Sequence, residues 1–316
     1  MPSNRLNVVA ADKSEISDTR IFRPKIDREQ SQAHFEKLWH RNAKQFHPLR
    51  NCMERERLNR SFALLEEHLS LQGKHVVDLG CGGGIFSRRL RDVEAKVDAV
   101  DIAKNALITL ESEDTTDIKA IHDYVPRTRL EDSAYDLVVC TDLIAHLPNK
   151  EHRLFISELA RLVKGNGYIL CSTPIDIHSE DALKRFSSLA ETELQIIRWK
   201  LSYHRLFIRL RDLFEAPSRY ARARKDREYR ENARKESSSF SRWWFQLNSA
   251  PLLGGFWALF QYLTNPIASL LRQNRVILLF LEAICRLLWR ESGVSHAIFL
   301  AKRRPLVMKL TTDTHR

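Results

Sequence analysis

The chain has 316 residues, 43% of them hydrophobic and 29% charged, and a formal net charge of +11. It can bury a core as one large or two modest domains, and no run approaches the roughly 18 uninterrupted apolar residues of a spanning helix. The five cysteines, Cys52, Cys81, Cys140, Cys171 and Cys285, show no CxxC pair and no zinc spacing, which fits a reducing, cytoplasmic setting, while the basic balance points to nucleic acid or an anionic membrane surface as partner.

In chain order, residues 1–30 are polar and aperiodic and read as a flexible tail without a signal-peptide core. Residues 31–71 read as N-terminal helices. Phe35, Leu38 and Trp39 share one helical face, Pro48 interrupts, and Leu58, Phe62, Leu65 and Leu69 resume the pattern. From 72 to 176, apolar runs alternate with helical stretches. Strands are predicted at His75–Leu79, Lys96–Val100, Ile118–Ile121, Asp136–Cys140 and Gly167–Ser172, with helices at Ile85–Val93, Lys104–Leu110 and Lys150–Val163. This rhythm predicts an α/β domain whose mostly parallel sheet is covered on both faces. Residues 177–292 carry helical patterns and no convincing strand, and they hold +8 of the net charge. They read as a helical insert or cap before a last strand at Ser295–Ala301, within a final segment 293–316 that ends in a basic tail.

The strongest local signal is Val76-Val77-Asp78-Leu79-Gly80-Cys81-Gly82-Gly83-Gly84, an apolar strand running into a glycine-rich turn that opens a helix. Glycines permit a tight turn and close approach of a ligand to the main chain. Asp101 ends the next strand, where an acid can bind both hydroxyls of a ribose. The dinucleotide fingerprint GxGxxG would need a third glycine at Ile85. The spacing here is GxGxG, and Asp78 just before it would repel a pyrophosphate but attract a cationic sulfonium and amino group.

VVDLGCGGG followed by AVDIAKNAL resembles motif I and the acidic second-strand end of class I S-adenosylmethionine (SAM)-dependent methyltransferases. The resemblance implies a Rossmann-like methyltransferase fold with SAM as cofactor and S-adenosylhomocysteine as product. It implies that Asp78, Gly80, Cys81, Gly82 and Gly84 line the methionine side. Asp101 would take the ribose, Ile102 the adenine face, and Asp123 with Tyr124 the adenine amino group. A solvated loop acid is the alternative for Asp123. Asp136 reads as a strand-start acid without a ligand contact. Thr141 and Asp142 would sit beside the methyl group.

The loop Thr141-Asp142-Leu143-Ile144-Ala145-His146-Leu147-Pro148 leaves the fourth strand where open α/β sheets bind ligands. His146 is the candidate general base, with Asp142 beside it, because histidine changes charge near neutral pH. A histidine that merely packs the following helix is the alternative. The stretch is similar to the ExxEH sequence of the quinone O-methyltransferases of ubiquinone biosynthesis, whose two glutamates and histidine are associated with a divalent metal. Asp142 and His146 match, but Ala145 replaces the second acid, so no bound metal is expected.

The insert has two strongly apolar stretches, Pro251–Leu263 and Ile267–Trp289, with Thr264-Asn265-Pro266 read as the turn of a helical hairpin. Arg242-Trp243-Trp244-Phe245 and the run Arg219–Glu236, with eight basic and four acidic residues, precede them. Such a region, 219–290, suits peripheral binding to an anionic membrane; a soluble cap with a solvated basic face is the alternative. The four acids weaken a nucleic-acid reading. The function expected is methyl transfer to an oxygen of a small hydrophobic or lipid-linked acceptor. The rivals are an RNA or protein methyltransferase recruited by the basic insert, and a catalytically silent SAM-fold adaptor.

Overall fold

The computed structural model describes residues 28–42, 51–177, 179, 181–227, 229–231 and 239–305. Most of the tail predicted at 1–30 therefore lies outside the described residues, as do Pro48 and the end of the basic tail. Two helices, α1 (Arg28–Asn42) and α2 (Cys52–Glu66), precede the sheet. Then come β1 (His75–Leu79), α3 (Ile85–Arg91), β2 (Lys96–Asp101), α4 (Lys104–Glu111), β3 (Ile118–His122), β4 (Tyr135–Thr141), α5 (His152–Leu162) and β5 (Val163–Pro174). The chain continues through α6 (Ala182–Ala190), β6 (Leu194–Ser202), α7 (Arg205–Lys225), α8 (Ser239–Ser249), α9 (Pro251–Gln273), α10 (Arg275–Trp289) and β7 (His296–Arg303).

The seven strands form one sheet in the order β3-β2-β1-β4-β5-β7-β6. The first five are parallel, and β7 runs antiparallel to both of its neighbours. Successive residues of β1 face opposite sides: Val77 and Leu79 join the core under α5 and α6, Val76 the one under α2, α3 and α4. Such two-sided burial explains why these strands read as near-continuous apolar runs. Asp136 accepts from the backbone N–H of His75 at 3.0 Å, so it ties β4 to β1 at the strand start. Because β1 lies between β2 and β4, the connections leave it in opposite directions. The crevice at the C-terminal ends of β1 and β4 is thus the topological switch point, where ligands bind in open α/β sheets.

The strand β6 corrects the reading of 177–292 as helical throughout; the helical insert proper lies between β6 and β7. Two features conceal β6 in the sequence. It is an edge strand, carrying Arg198 and Lys200 as edge strands commonly do. A bulge between Ile196 and Arg198 also switches the parity of the chain. Leu194 and Ile196 pack on the core before the bulge, Trp199 and Leu201 after it, so no period of two runs through the strand.

Thr264-Asn265-Pro266 is not a turn: α9 runs through it, and the break falls at Asn274, whose side chain caps α10 by accepting from Ile277 N–H at 3.1 Å. A helix-interior proline costs one hydrogen bond. Here Pro266 frees the carbonyl of Tyr262, an exposed position where water can serve it. The neighbouring Asn265 accepts from Ser218 of α7 at 2.5 Å, and the buried Thr264, Ala268 and Leu271 mark the inner face of α9.

The insert is tied to α2 by buried charge. Arg60 donates to both oxygens of Glu282 on α10, at 2.7 and 2.5 Å, and Glu282 also accepts from Tyr203 N–H at 3.0 Å. Burial alone would raise the Glu282 carboxyl, but Arg60 and His204 hold it well below the usual carboxylate range. Arg275, at the start of α10, donates to Glu56 of α2 at 2.7 Å.

Candidate functional site

The glycine loop after β1 turns through left-handed backbone at Gly80, Gly82 and Gly84 (φ +74°, +53° and +76°), where a side chain would be strained. At Gly84 a Cβ would also stand 2.1 Å from Leu110 of α4. Most N–H groups of the loop are spent internally. Gly80 and Cys81 donate to Val100 O, Gly84 to Cys81 O, and Gly82 to the Asp101 carboxylate at 2.9 Å. A pyrophosphate cradle needs such groups free, so the loop is poorly suited to an anion. The Cys81 side chain packs on the core under α2–α4, so Cys81 contributes backbone only.

Two carboxylates face this loop. Asp78 is buried and accepts from Ser87 Oγ at 2.6 Å, while its Oδ1 has no hydrogen-bond partner among the described residues. Burial, with the Asp101 charge nearby, pushes Asp78 up to about 6 against the Ser87 hydrogen bond. Asp101 accepts from Gly82 N–H and, at 2.8 Å, from Ala103 N–H; burial raises it too. An orphaned buried acceptor and a half-buried second acid suit a ligand that brings cationic and hydroxyl donors. These residues fit SAM, whose amino group and ribose hydroxyls supply those donors.

Beyond Asp101 a cavity of about 250 Å³ is lined by Gln32, Ile102, His122, Asp123, Arg127 and Arg129. Ile102 and Asp123, the residues expected at the adenine, thus line one cavity. Burial works to raise Asp123, but hydrogen bonds from Arg129 and Tyr124 N–H bring it below its ordinary value. Tyr124 departs from the expectation. Its side chain is buried and its hydroxyl donates to Glu151 at 2.5 Å, so it braces the loop instead of lining the cavity.

At the reacting end, β4 stops at Thr141 and the chain turns through Asp142 in left-handed backbone (φ 63°) into a short 3-10 turn, Leu143–His146. Leu143 touches the glycine loop: a Cβ on Gly80 would stand 3.2 Å from it. Asp142 accepts from Ser172 Oγ at 3.0 Å and from His296 Nε2 at 2.7 Å, and it pairs with Arg57 of α2. Against burial, Arg57 and His296 hold this carboxyl well below the usual range. A carboxylate so engaged is a weak base. In this position Asp142 anchors the turn that carries His146. With its oxygens already taken and the buried Ala145 beside it, Asp142 does not fit a divalent metal either. Burial lowers His146 below its ordinary value against the pull of Asp142, which favours the neutral ring.

The helix α1 lies across this whole edge. Trp39 covers the loop, since a Cβ on Gly82 would meet its ring at 3.0 Å. Glu36 caps α4, accepting from Lys104 N–H at 2.7 Å and Asn105 N–H at 3.1 Å. Phe35 meets the His146 ring edge-on at 5.3 Å. Arg57, His296 and the α1 contacts had no signal in the sequence, because their partners lie far along the chain; only the apolar face containing Phe35 and Trp39 was visible.

Residues 51–216, just over half of the chain, match the Methyltransferase domain family. Among curated proteins, the ubiquinone biosynthesis O-methyltransferase of Burkholderia thailandensis is 37% identical over 142 residues, 43% of this chain and 57% of that protein. The protein of the same name from Burkholderia pseudomallei is 37% identical over 114 residues, 34% of this chain and 48% of that one. The chain thus spans about half the length of the curated relatives it matches. Among solved structures, a putative sarcosine dimethylglycine methyltransferase from Galdieria sulphuraria is similar at a TM-score of 0.45 and 17% identity, over 79% of this chain and 86% of that one. With the glycine loop, the acid at the end of β2 and the seven-stranded sheet in place, the chain belongs to the Methyltransferase domain family and is a class I SAM-dependent methyltransferase.

Proposed function

We propose that the chain transfers a methyl group from SAM to an oxygen of a small hydrophobic or lipid-linked acceptor, releasing S-adenosylhomocysteine. The observation that carries the reading is His146, an imidazole held at the switch point beside the glycine loop with its neutral form favoured. The name of the curated relatives, an O-methyltransferase, supports an oxygen acceptor. Bound SAM supplies an electrophilic methyl on a sulfonium. Asp78 binds its amino group, Asp101 the ribose, and Ile102 and Asp123 the adenine. A ring nitrogen of His146 accepts the hydroxyl proton of the acceptor as the oxygen becomes nucleophilic. Asp142, fixed by Arg57 and His296, positions the turn. Phe35 and Trp39 of α1 keep water from the methyl group.

Incubation of the protein with methyl-labelled SAM and a total lipid extract tests this. Label is expected in an organic-soluble product with a methoxy resonance; label found only in RNA or protein would overturn the acceptor class.

A pH titration tests the Asp78 assignment. Its folded-state value, about 6, lies above the ordinary value of 3.8. Protonation therefore favours the free fold: that stabilisation is complete below the ordinary value and is lost as pH rises through about 6. A cationic amino group instead favours the ionised carboxylate. Calorimetric SAM affinity is expected to fall about tenfold from about pH 7 to about pH 5, and Asp78→Asn to flatten the profile. An unchanged slope in that variant would assign the titration to another group.

A further inference from the structure

The outer faces of α9 and α10 are apolar and open to solvent. On α9, Leu259 and Tyr262 are 72% and 74% exposed, and Leu263 and Leu270 lie on the same side. On α10, Val276 and Leu287 are 76% and 80% exposed, with Phe280 between them. The inner faces of both helices are spent on α7 and α2, so this surface is not a core left unpacked. Monomeric proteins seldom expose large side chains of this kind over two consecutive helices.

The charges along these two helices are mostly basic. From Ser239 to Arg290 the sequence holds five arginines and one acid, Glu282; of these arginines, Arg272 pairs with Glu215 of α7 and Arg275 with Glu56 of α2. Glu282 is buried and neutralised by Arg60. Arg286 and Arg290 are exposed at the C-terminal end of α10. The run Arg219–Glu236 is partly neutralised in the same way: Arg219 pairs with Asp212, Arg222 with Asp226 and Arg227 with Glu231. No described helix is long and apolar enough to cross a bilayer. An exposed apolar face bordered by Arg286 and Arg290, followed by the exposed Glu291, suits an anionic interface.

We infer that α9 and α10 form an interfacial anchor that seats the protein on an anionic bilayer, with Leu259, Tyr262, Leu263, Val276 and Leu287 inserted among the lipids. The inference concerns a surface apart from the cofactor site and stands whatever acceptor is methylated.

Flotation of the full chain with vesicles tests it, using phosphatidylcholine alone and phosphatidylcholine mixed with phosphatidylglycerol. The chain is expected to float with the mixed vesicles and much less with the neutral ones. The combined Leu259→Ser, Leu263→Ser, Val276→Ser and Leu287→Ser variant is expected to float on the order of tenfold less, with an unchanged thermal midpoint. If that variant does not fold, the single Leu287→Glu substitution is read in the same way. A folded chain that stays unbound with both vesicle types overturns the anchor, as does a variant that floats like the wild type. Light scattering that shows a dimer, converted to monomer by the same substitutions, assigns the face to a second copy and overturns the bilayer as occupant.

Discussion

Replacing His146 with alanine is expected to lower kcat by roughly 100- to 10,000-fold while leaving the SAM dissociation constant within about twofold. The asymmetry follows from position. The ring sits in the turn after β4 and meets Phe35, whereas the acids of the cofactor cleft come from β1 and β2. A general base gains from being unprotonated at the working pH. Burial favours that here against the opposing charge of Asp142, while His34 and Arg57 add to the lowering. The acid limb of the kcat profile should therefore fall below the ordinary histidine value and vanish in His146→Ala. A histidine that only packs would behave otherwise: the variant would lose thermal stability through the contact with Phe35, and kcat would change by less than about threefold. Replacing Asp142 with asparagine separates anchoring from basicity. That change uncouples Arg57 and His296, so it should cost fold stability as well as kcat.

The parts of the site that were legible in the sequence are local ones. The glycine loop, Asp78 before it and Asp101 at the next strand end fall within 24 consecutive residues, and their spacing alone separates a SAM pattern from a dinucleotide one. The parallel strands were legible because burial on both faces leaves them apolar throughout. What escaped depends on distant partners. His296 reaches Asp142 across 154 residues, and Arg57 comes from a helix that precedes the sheet. Their pairing makes Asp142 a fixed anion, and nothing near residue 142 announces it. The edge strand β6 was hidden by its charges and its bulge. Pro266 misled for the opposite reason: a strong local breaker was overridden, because packing of α9 along α7 outweighs one lost hydrogen bond.

Substituting Asp101 with alanine is expected to weaken SAM binding on the order of 100-fold, ~2.7 kcal/mol, measured calorimetrically. Two losses add. The ribose hydroxyls lose a charged acceptor, and the N–H groups of Gly82 and Ala103 lose the carboxylate that orders them. The free protein should suffer less than the complex. In its absence the raised Asp78 is relieved of a neighbouring negative charge, which offsets part of the cost of the two unsatisfied N–H groups. A thermal midpoint that barely moves while SAM affinity collapses is thus the expected signature of an acid placed for a ligand. Asp101→Asn refines the test. An amide keeps the shape, but it turns an N–H toward one of the two donors the carboxylate now serves, so it should bind SAM no better than the alanine variant. Full affinity in Asp101→Asn would mean that shape alone suffices. Unchanged affinity in Asp101→Ala would remove Asp101 from the cofactor site and leave Asp78 and Asp123 as its candidate acids.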